Sequence, residues 1–145
     1  MNAECRMANA ECGESGRLFV ALRRGFSMSN ELKQRTKAFA LRVLKLVDAL
    51  PNTRGGRILA DQLGRSATSV GANYRAACRA RSKREFIAKI GVVEEEADES
   101  AFWLELTSES GAMPVSKVQA LLQESTELVA IMASSRITAA RSARQ

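Results

Sequence analysis

Apolar residues recur every three or four positions along four stretches of the chain, which is the period of an amphipathic α-helix. The first stretch runs from about Ser29 to Leu50, and the second follows Gly55-Gly56. The third begins at Ser82 and the fourth at Pro114. We therefore predict four helices and no strand.

Each predicted helix has one apolar seam. The seam residues are Phe39, Val43, Leu46 and Leu50 in the first helix, then Leu59, Leu63, Ala67, Val70, Tyr74 and Ala77 in the second. They are Phe86, Ile90, Val93, Ala97, Ala101 and Leu104 in the third, then Val118, Leu121, Leu122, Ser125, Leu128, Val129 and Met132 in the fourth. We expect Leu44 and Phe102 to widen two of these stripes and Ile137 to continue the last.

The predicted helices are joined by links of only a few residues. Such links cannot carry the chain back along a bundle, so consecutive helices should alternate in direction. We predict an all-α fold, an antiparallel up-down-up-down four-helix bundle over residues 28–138. Residues 1–27 should be a flexible N-terminal extension, and residues 139–145 a frayed tail.

The pattern of apolar and polar residues changes abruptly at Met28. Before it, Asn2-Ala-Glu-Cys5 returns as Asn9-Ala-Glu-Cys12, without a sustained helical period. After it, Ser29-Asn30-Glu31 has the composition of a helix N-cap. We take Met28 as a hypothetical natural start, which expression from that residue would test.

Composition excludes most chemistry that a bundle can perform. The chain has no histidine, so it lacks Ser-His-Asp and Cys-His nucleophiles and the Glu-x-x-His ligands of di-iron bundles. We expect no enzymatic activity and no cofactor.

No apolar run approaches the roughly 20 residues of a membrane span, and no export signal is evident. Its 3 cysteines suit a reduced, cytoplasmic protein, with Cys78 an apolar filler.

Charge divides the chain into a basic and an acidic part. Residues 28–84 contain 13 Lys/Arg and 3 Asp/Glu, whereas residues 85–127 contain 2 and 10. The candidate phosphate-binding residues are Arg65, Arg75, Arg79, Arg81, Lys83 and Arg84. Charged helix ends are more often solvated surface, and that reading stays open.

The acidic part offers candidates for an interface between subunits. Glu95, Asp98, Glu99 and Trp103 lie in the third helix and could meet the basic part of an adjacent copy in a head-to-tail assembly. Metal binding or acid–base catalysis by these carboxylates would need further ligands from facing helices, whose seams are largely apolar.

Two polar groupings have structural interpretations. Asn73 should be hydrogen-bonded beside the second seam, in a network that Arg65 and Ser69 share. Ser82 and Glu85 form the pattern of a capping box at the start of the third helix.

Two stretches carry a family resemblance: Gln62-Leu-Gly-Arg65 with Ser69 and Asn73, and Arg81-Ser-Lys-Arg-Glu-Phe-Ile87. They resemble the four-helix-bundle proteins encoded in intervening sequences of bacterial 23S rRNA genes, a family that includes the accessory protein of diversity-generating retroelements. The resemblance spans about residues 29–135. It implies small bundles that assemble as rings, typically of five subunits, and at least one member that binds nucleic acid and a reverse transcriptase. The chain departs from the family at Ala76, where a glutamate is usual.

These observations favour a homo-oligomer that binds RNA or DNA through a basic surface, with a reverse transcriptase or ribosomal RNA as a further partner and no membrane role. The alternative is a scaffold that only self-assembles or docks another protein. Salt dependence of nucleic-acid binding separates the two hypotheses.

Overall fold

The computed structural model describes residues 15–143, with side chains from residue 29 onward. It contains four helices: α1 (Ser15–Asp48), α2 (Arg54–Ala77), α3 (Lys83–Glu109) and α4 (Val115–Ser142). No strand occurs within these residues, so the predicted all-α class is confirmed. Contacts divide the described residues into two units, one that ends at Leu32 and one that begins at Lys33. The first includes the start of α1, and the second includes the rest of α1 with α2, α3 and α4.

The observed helix ends differ most from the predicted ones at the start of α1 and the end of α4. Smaller differences are that α1 ends at Asp48 rather than Leu50 and that α2 begins at Arg54, before Gly55-Gly56. α1 begins at Ser15 rather than near Ser29, so the cap predicted at Ser29-Asn30-Glu31 is wrong and the helix passes straight through it. Residues 17–24 are rich in Leu, Arg and Ala, which favour helix, and Gly25 costs only about 1 kcal/mol. α4 continues to Ser142, beyond residue 138.

Some predictions at the chain ends are not tested by this structure. The repeat containing Cys5 and Cys12 lies outside the described residues. Flexibility of residues 1–27 and fraying of residues 139–145 stay predictions.

The predicted seams supply most of the core of residues 33–143, although five seam residues are only half-buried: Leu50, Phe86, Ala101, Leu122 and Val129. All six seam residues of α2 are buried, as are Phe39, Val43 and Leu46 of α1. In α3 and α4 the fully buried large side chains are Ile90, Val93, Leu104, Val118, Leu128 and Met132. The predicted broadening of the stripes is wrong at Leu44 and Phe102, which are 40% and 50% exposed, and the predicted continuation of the last seam is wrong at Ile137, which is 46% exposed. Periodicity locates the centre of an apolar stripe, but neighbouring helices decide its width.

Polar contacts show the relative direction of the last two helices. Lys83 at the start of α3 donates to the Ser142 carbonyl at the end of α4. Further along α3, the Ala97 carbonyl accepts from Ser125 Oγ at 2.6 Å, nearer the start of α4. Residue numbers rise along one helix as they fall along the other, so α3 and α4 run in opposite directions.

Small side chains let the helices approach closely near the middle of the core. Ser100 Oγ donates to Ser66 Oγ at 3.0 Å, which joins α3 to α2 inside the core. A Cβ on Gly71 would lie 3.5 Å from the Thr36 carbonyl oxygen, so α1 and α2 also come near each other there. Within the described residues no buried side-chain nitrogen or oxygen lacks a hydrogen-bond partner.

Side-chain caps fix the starts of α2 and α3. Thr53 Oγ1 accepts from the Gly56 amide at 3.0 Å, a cap that we did not predict. Ser82 Oγ accepts from the Glu85 amide at 3.1 Å, as predicted. The Glu85 carboxylate returns to the amide of Arg81 at 2.8 Å, one residue earlier than in the predicted box.

Candidate nucleic-acid interface

One exposed line of residues follows the solvent side of α2 opposite its apolar seam. It passes through positions 54, 57, 61, 65, 68, 72, 75 and 79, all of which are exposed. At about 100° per residue, these positions fall within an arc of about 80°. Five of them are arginines, which we name the α2 arginine stripe: Arg54, Arg57, Arg65, Arg75 and Arg79.

The stripe is long and almost free of negative charge. At about 1.5 Å of rise per residue, Arg54 and Arg75 are separated by about 32 Å along the helix axis. Asp61 is the one carboxylate on the line, and Thr68 and Ala72 are uncharged. Arg79 lies just beyond the last residue of α2, where its amide still bonds to the Ala76 carbonyl at 3.1 Å.

The stripe arginines are not held in ion pairs within the described residues, where none of the five pairs with a carboxylate. The Arg57 guanidinium donates to Asn52 Oδ1 at 3.0 Å, an exposed neutral contact. Their donors therefore remain available to an anionic partner.

The six cations predicted from the sequence fall on two elements. Arg65, Arg75 and Arg79 belong to the stripe. The others, Arg81, Lys83 and Arg84, are exposed in the link to α3 and its first turn, and Lys83 Nζ also donates to Ser142 Oγ at 2.7 Å.

Sequence reasoning missed two members of the stripe, Arg54 and Arg57. Both are exposed and lie far from the dense basic run at residues 75–84. Helical spacing from Arg65 was the signal that could have found them, since positions 57, 61 and 65 are each four residues apart.

The polar residues beside the α2 seam form a local contact. Asn73 is half-buried, and its Nδ2 donates to the Ser69 carbonyl at 2.9 Å, one turn back in the same helix. Arg65 is exposed, and within the described residues its side chain makes no hydrogen bond to either of them. The predicted three-residue network therefore reduces to a bond between Asn73 and Ser69.

The predicted interface residues lie on the exposed side of α3, where acidic and aromatic groups mix. Glu95, Asp98 and Glu99 are exposed, and Trp103 Nε1 donates to Glu99 Oε1 at 3.0 Å. The Phe102 and Trp103 rings meet edge to face with centroids 5.0 Å apart. We call Glu95, Glu99, Phe102 and Trp103 the α3 acidic-aromatic face.

Glu96 is half-buried beside this face, and its pKa is raised. Burial is the main cause, and the negative charges of Glu99 and Glu95 add to it, while Arg65 acts in the opposite direction. The described residues contain no group of Asp, Glu or Cys arranged to hold a metal ion.

An apolar groove of about 470 Å³ lies where the start of α2 meets the end of α3. Ile58, Leu59, Trp103 and Leu106 line it, with Gly56 in the first turn of α2 and Gly111 in the link after α3. Ile58 is 54% exposed, so the groove opens to solvent.

Ion pairs fix α4 against two other helices. The Arg35 guanidinium in α1 donates to Glu124 at 2.7 Å and also pairs with Glu127, which raises the pKa of Arg35 and lowers that of Glu127. Arg136 pairs with Glu94 of α3 at 2.7 Å. The acids and bases in these pairs are occupied in holding the bundle together.

The fold and its surface define a small helical bundle with basic residues along α2 and acidic residues on α3. The chain belongs to the 23S rRNA-intervening sequence protein family, whose model matches residues 28–134, and the predicted resemblance is thereby confirmed.

A solved structure supports the assignment. It is a protein of unknown function from the S23 ribosomal protein family of Bacteroides thetaiotaomicron VPI-5482, 32% identical in sequence. The match covers 70% of this chain and 94% of that one, with a TM-score of 0.66. A comparison with curated proteins gives no significant match. Among the described residues, no helix combines the length and apolarity needed to cross a membrane.

Proposed function

We propose that this protein is a non-enzymatic homo-oligomer that binds structured RNA or DNA through its basic surface. Its proposed partner in this role is a ribosomal RNA or a reverse transcriptase. The observation that carries the proposal is the α2 arginine stripe, a row of five exposed guanidinium groups, none of which forms an ion pair with a carboxylate among the described residues.

Phosphate is the ligand that best suits this row. A guanidinium group presents planar donors that match phosphate oxygens, and it stays charged at every physiological pH. No aromatic residue lies on the stripe, so bases have no platform to stack on. Binding should therefore follow the charge and shape of the backbone, with little preference for base sequence.

Self-association can use other faces and leave the stripe free. On the outer side of α1, Leu41 and Leu44 are 52% and 40% exposed, beside the exposed Lys37 and Lys45. This surface is complementary in charge and apolar character to the α3 acidic-aromatic face. Contact between the two would join unlike patches head to tail, which closes into a ring when the rotation allows it.

A pair of charge-reversal variants tests phosphate binding. Arg79→Glu removes a stripe cation, whereas Lys117→Glu changes the net charge equally at an exposed position on α4. Losing one phosphate contact should weaken binding about eightfold at 0.1 M salt, because each contact contributes about 0.9 to the salt exponent. We expect that loss for Arg79→Glu only, in gel-shift titrations with a structured RNA. Equal affinities for the two variants would refute the proposal.

A protein-docking scaffold is the second candidate, because the apolar groove between Ile58 and Trp103 suits an apolar side chain of a partner. A scaffold without a nucleic-acid role should bind RNA weakly and equally in both variants. Light scattering for mass, run beside the gel-shift series, separates self-assembly from nucleic-acid binding.

A further inference from the structure

The arginines are not evenly spaced along the α2 arginine stripe. Arg54 and Arg57 form a pair at its N-terminal end, and Arg75 and Arg79 form a pair at its C-terminal end. The midpoints of the two pairs are about 32 Å apart at 1.5 Å of rise per residue. Between them lies Arg65, with Asp61 reducing the positive charge of the middle.

The two pairs face the same way. Residues 57 and 75 are eighteen positions apart, which is five complete turns at about 3.6 residues each, so their side chains leave the helix in the same direction. Continued past the end of α2 at Ala77, the same count places residue 79 within about 20° of residue 54. A straight ligand lying along α2 would therefore meet both pairs at once.

A nucleic-acid duplex presents phosphates with a matching repeat. On one side of a double helix, equivalent phosphates return after one turn, about 34–36 Å in B-form DNA. Flexible arginine side chains can absorb the difference of a few ångströms. A single strand has no fixed repeat, so it would gain little from two pairs held at a fixed distance.

Building on the proposed function, we propose that α2 lies along a duplex and that its two arginine pairs bind backbone phosphates one helical turn apart. Arg65 then faces the part of the duplex between the two contacts. The recognised chemistry is the phosphate backbone of a duplex, and DNA and RNA duplexes are the two sources to compare.

A duplex-length series measures the bridging directly. A duplex of about 6 base pairs reaches only one arginine pair, whereas one of about 12 base pairs exceeds a full turn and reaches both. Engaging the second pair neutralises two more phosphates, so fluorescence anisotropy should show affinity rising by more than tenfold between the two lengths. Single strands of the same lengths should show no such step.

Two double variants test whether the rise in affinity between the short and the long duplex depends on both arginine pairs. Arg54→Gln with Arg57→Gln, or Arg75→Gln with Arg79→Gln, should each remove the step and bind the long duplex about as weakly as the short one. All four side chains are exposed, so the fold should persist, which circular dichroism checks.

A variant with the same net charge as the native protein tests the effect of the distance between the two arginine pairs. Thr68→Arg with Ala72→Arg, added to Arg75→Gln and Arg79→Gln, keeps the net charge and moves the second pair along the same line. The midpoints are then only about 22 Å apart. This variant should bind the short duplex like the native protein and lose the step with the long one.

The outcomes separate this inference from the proposed function. If the native protein binds nucleic acid in a salt-dependent way without a length step, or if the shifted-pair variant keeps the step, bridging is overturned and phosphate binding stands. If the native protein binds none of the duplexes or strands, both proposals fail.

Discussion

Gly56 lies so close to the chain that precedes α2 that one methyl group has no room there. A Cβ at this position would be 1.9 Å from the Pro51 carbonyl oxygen and 3.1 Å from Thr53 Oγ1. Real Cβ contacts essentially never fall below 3.0 Å, so Gly56→Ala must displace the Pro51 carbonyl by more than about 1 Å. Gly64, in the same helix, has no atom within 4 Å of such a Cβ and serves as the matched control.

The cost of Gly56→Ala follows from the contacts that the displacement disturbs. The Pro51 carbonyl accepts from the Thr53 amide at 2.8 Å, and Thr53 Oγ1 caps the Gly56 amide at 3.0 Å. Each bond contributes about 1 kcal/mol. The higher helix propensity of alanine returns about 0.9 kcal/mol, and overpacking adds about 1–3 kcal/mol. We therefore expect Gly56→Ala to lower the free energy of unfolding by about 2–4 kcal/mol.

Urea unfolding followed by circular dichroism compares the two variants. Gly64→Ala should raise the free energy of unfolding by about 0.5–1 kcal/mol, because it gains helix propensity without a clash. If the two variants change the free energy of unfolding in opposite directions, the result would support the observed path of the chain from Pro51 into α2. If Gly56→Ala proved as stable as Gly64→Ala, that path would be wrong.

Three further expectations concern the core and the acidic groups. Leu104→Ala should lower the free energy of unfolding by about 2–5 kcal/mol, measured by urea denaturation, because the side chain is fully buried; a loss below about 1 kcal/mol would contradict that packing. Glu96→Gln should raise the melting temperature at neutral pH, because burial and Glu99 raise the pKa of Glu96 and so penalise its charged form. That gain should vanish as the pH falls below about 4, where the unfolded state is protonated too, and a gain that persists in acid would contradict the cause. Glu127→Gln should lower the melting temperature slightly at neutral pH, because Arg35 lowers the pKa of Glu127 and only the ionised carboxylate forms the ion pair. This loss should begin to shrink only as the pH falls below about 4, towards the lowered pKa of Glu127, and a loss that is already absent at pH 5 would contradict the ion pair.

The seams were predictable because burial repeats with the period of the helix. The six α2 seam residues were all identified from spacing, and every one is buried. The width of each stripe was not predictable in the same way. Leu44 follows the buried Val43, and Phe102 stands between the half-buried Ala101 and Trp103, yet both are exposed. Whether a flanking side chain is covered depends on where the neighbouring helix lies, which one sequence does not state.

The start of α1 shows a second limit of local signals. Ser, Asn and Glu favour a helix N-terminus but are also tolerated on an exposed helix surface, and Asn30 and Glu31 are exposed within α1. The close approach of Gly71 to Thr36 also gave no signal of its own, since it joins residues of two helices.

Only part of the candidate site could be predicted from the sequence: Arg65, Arg75 and Arg79 of the stripe were identified, and Arg54 and Arg57 were not. The sequence prediction relied on the local density of basic residues, which is highest at residues 75–84. The stripe is instead defined by the direction in which side chains leave α2, and so it also includes Arg54 and Arg57. Counting helical angles from Arg65 gives the same grouping from the sequence alone once the helix is accepted.

The salt dependence of duplex binding tests the phosphate role of α2 most directly. With five stripe contacts, the slope of log K against log salt should be about −4.5, and each Arg→Gln change on the stripe should reduce its magnitude by about 0.9. The exposed residue Lys117, changed to Gln, should leave the slope as it is. A native slope near zero, or equal slopes for Arg75→Gln and Lys117→Gln, would contradict phosphate binding by the α2 arginine stripe.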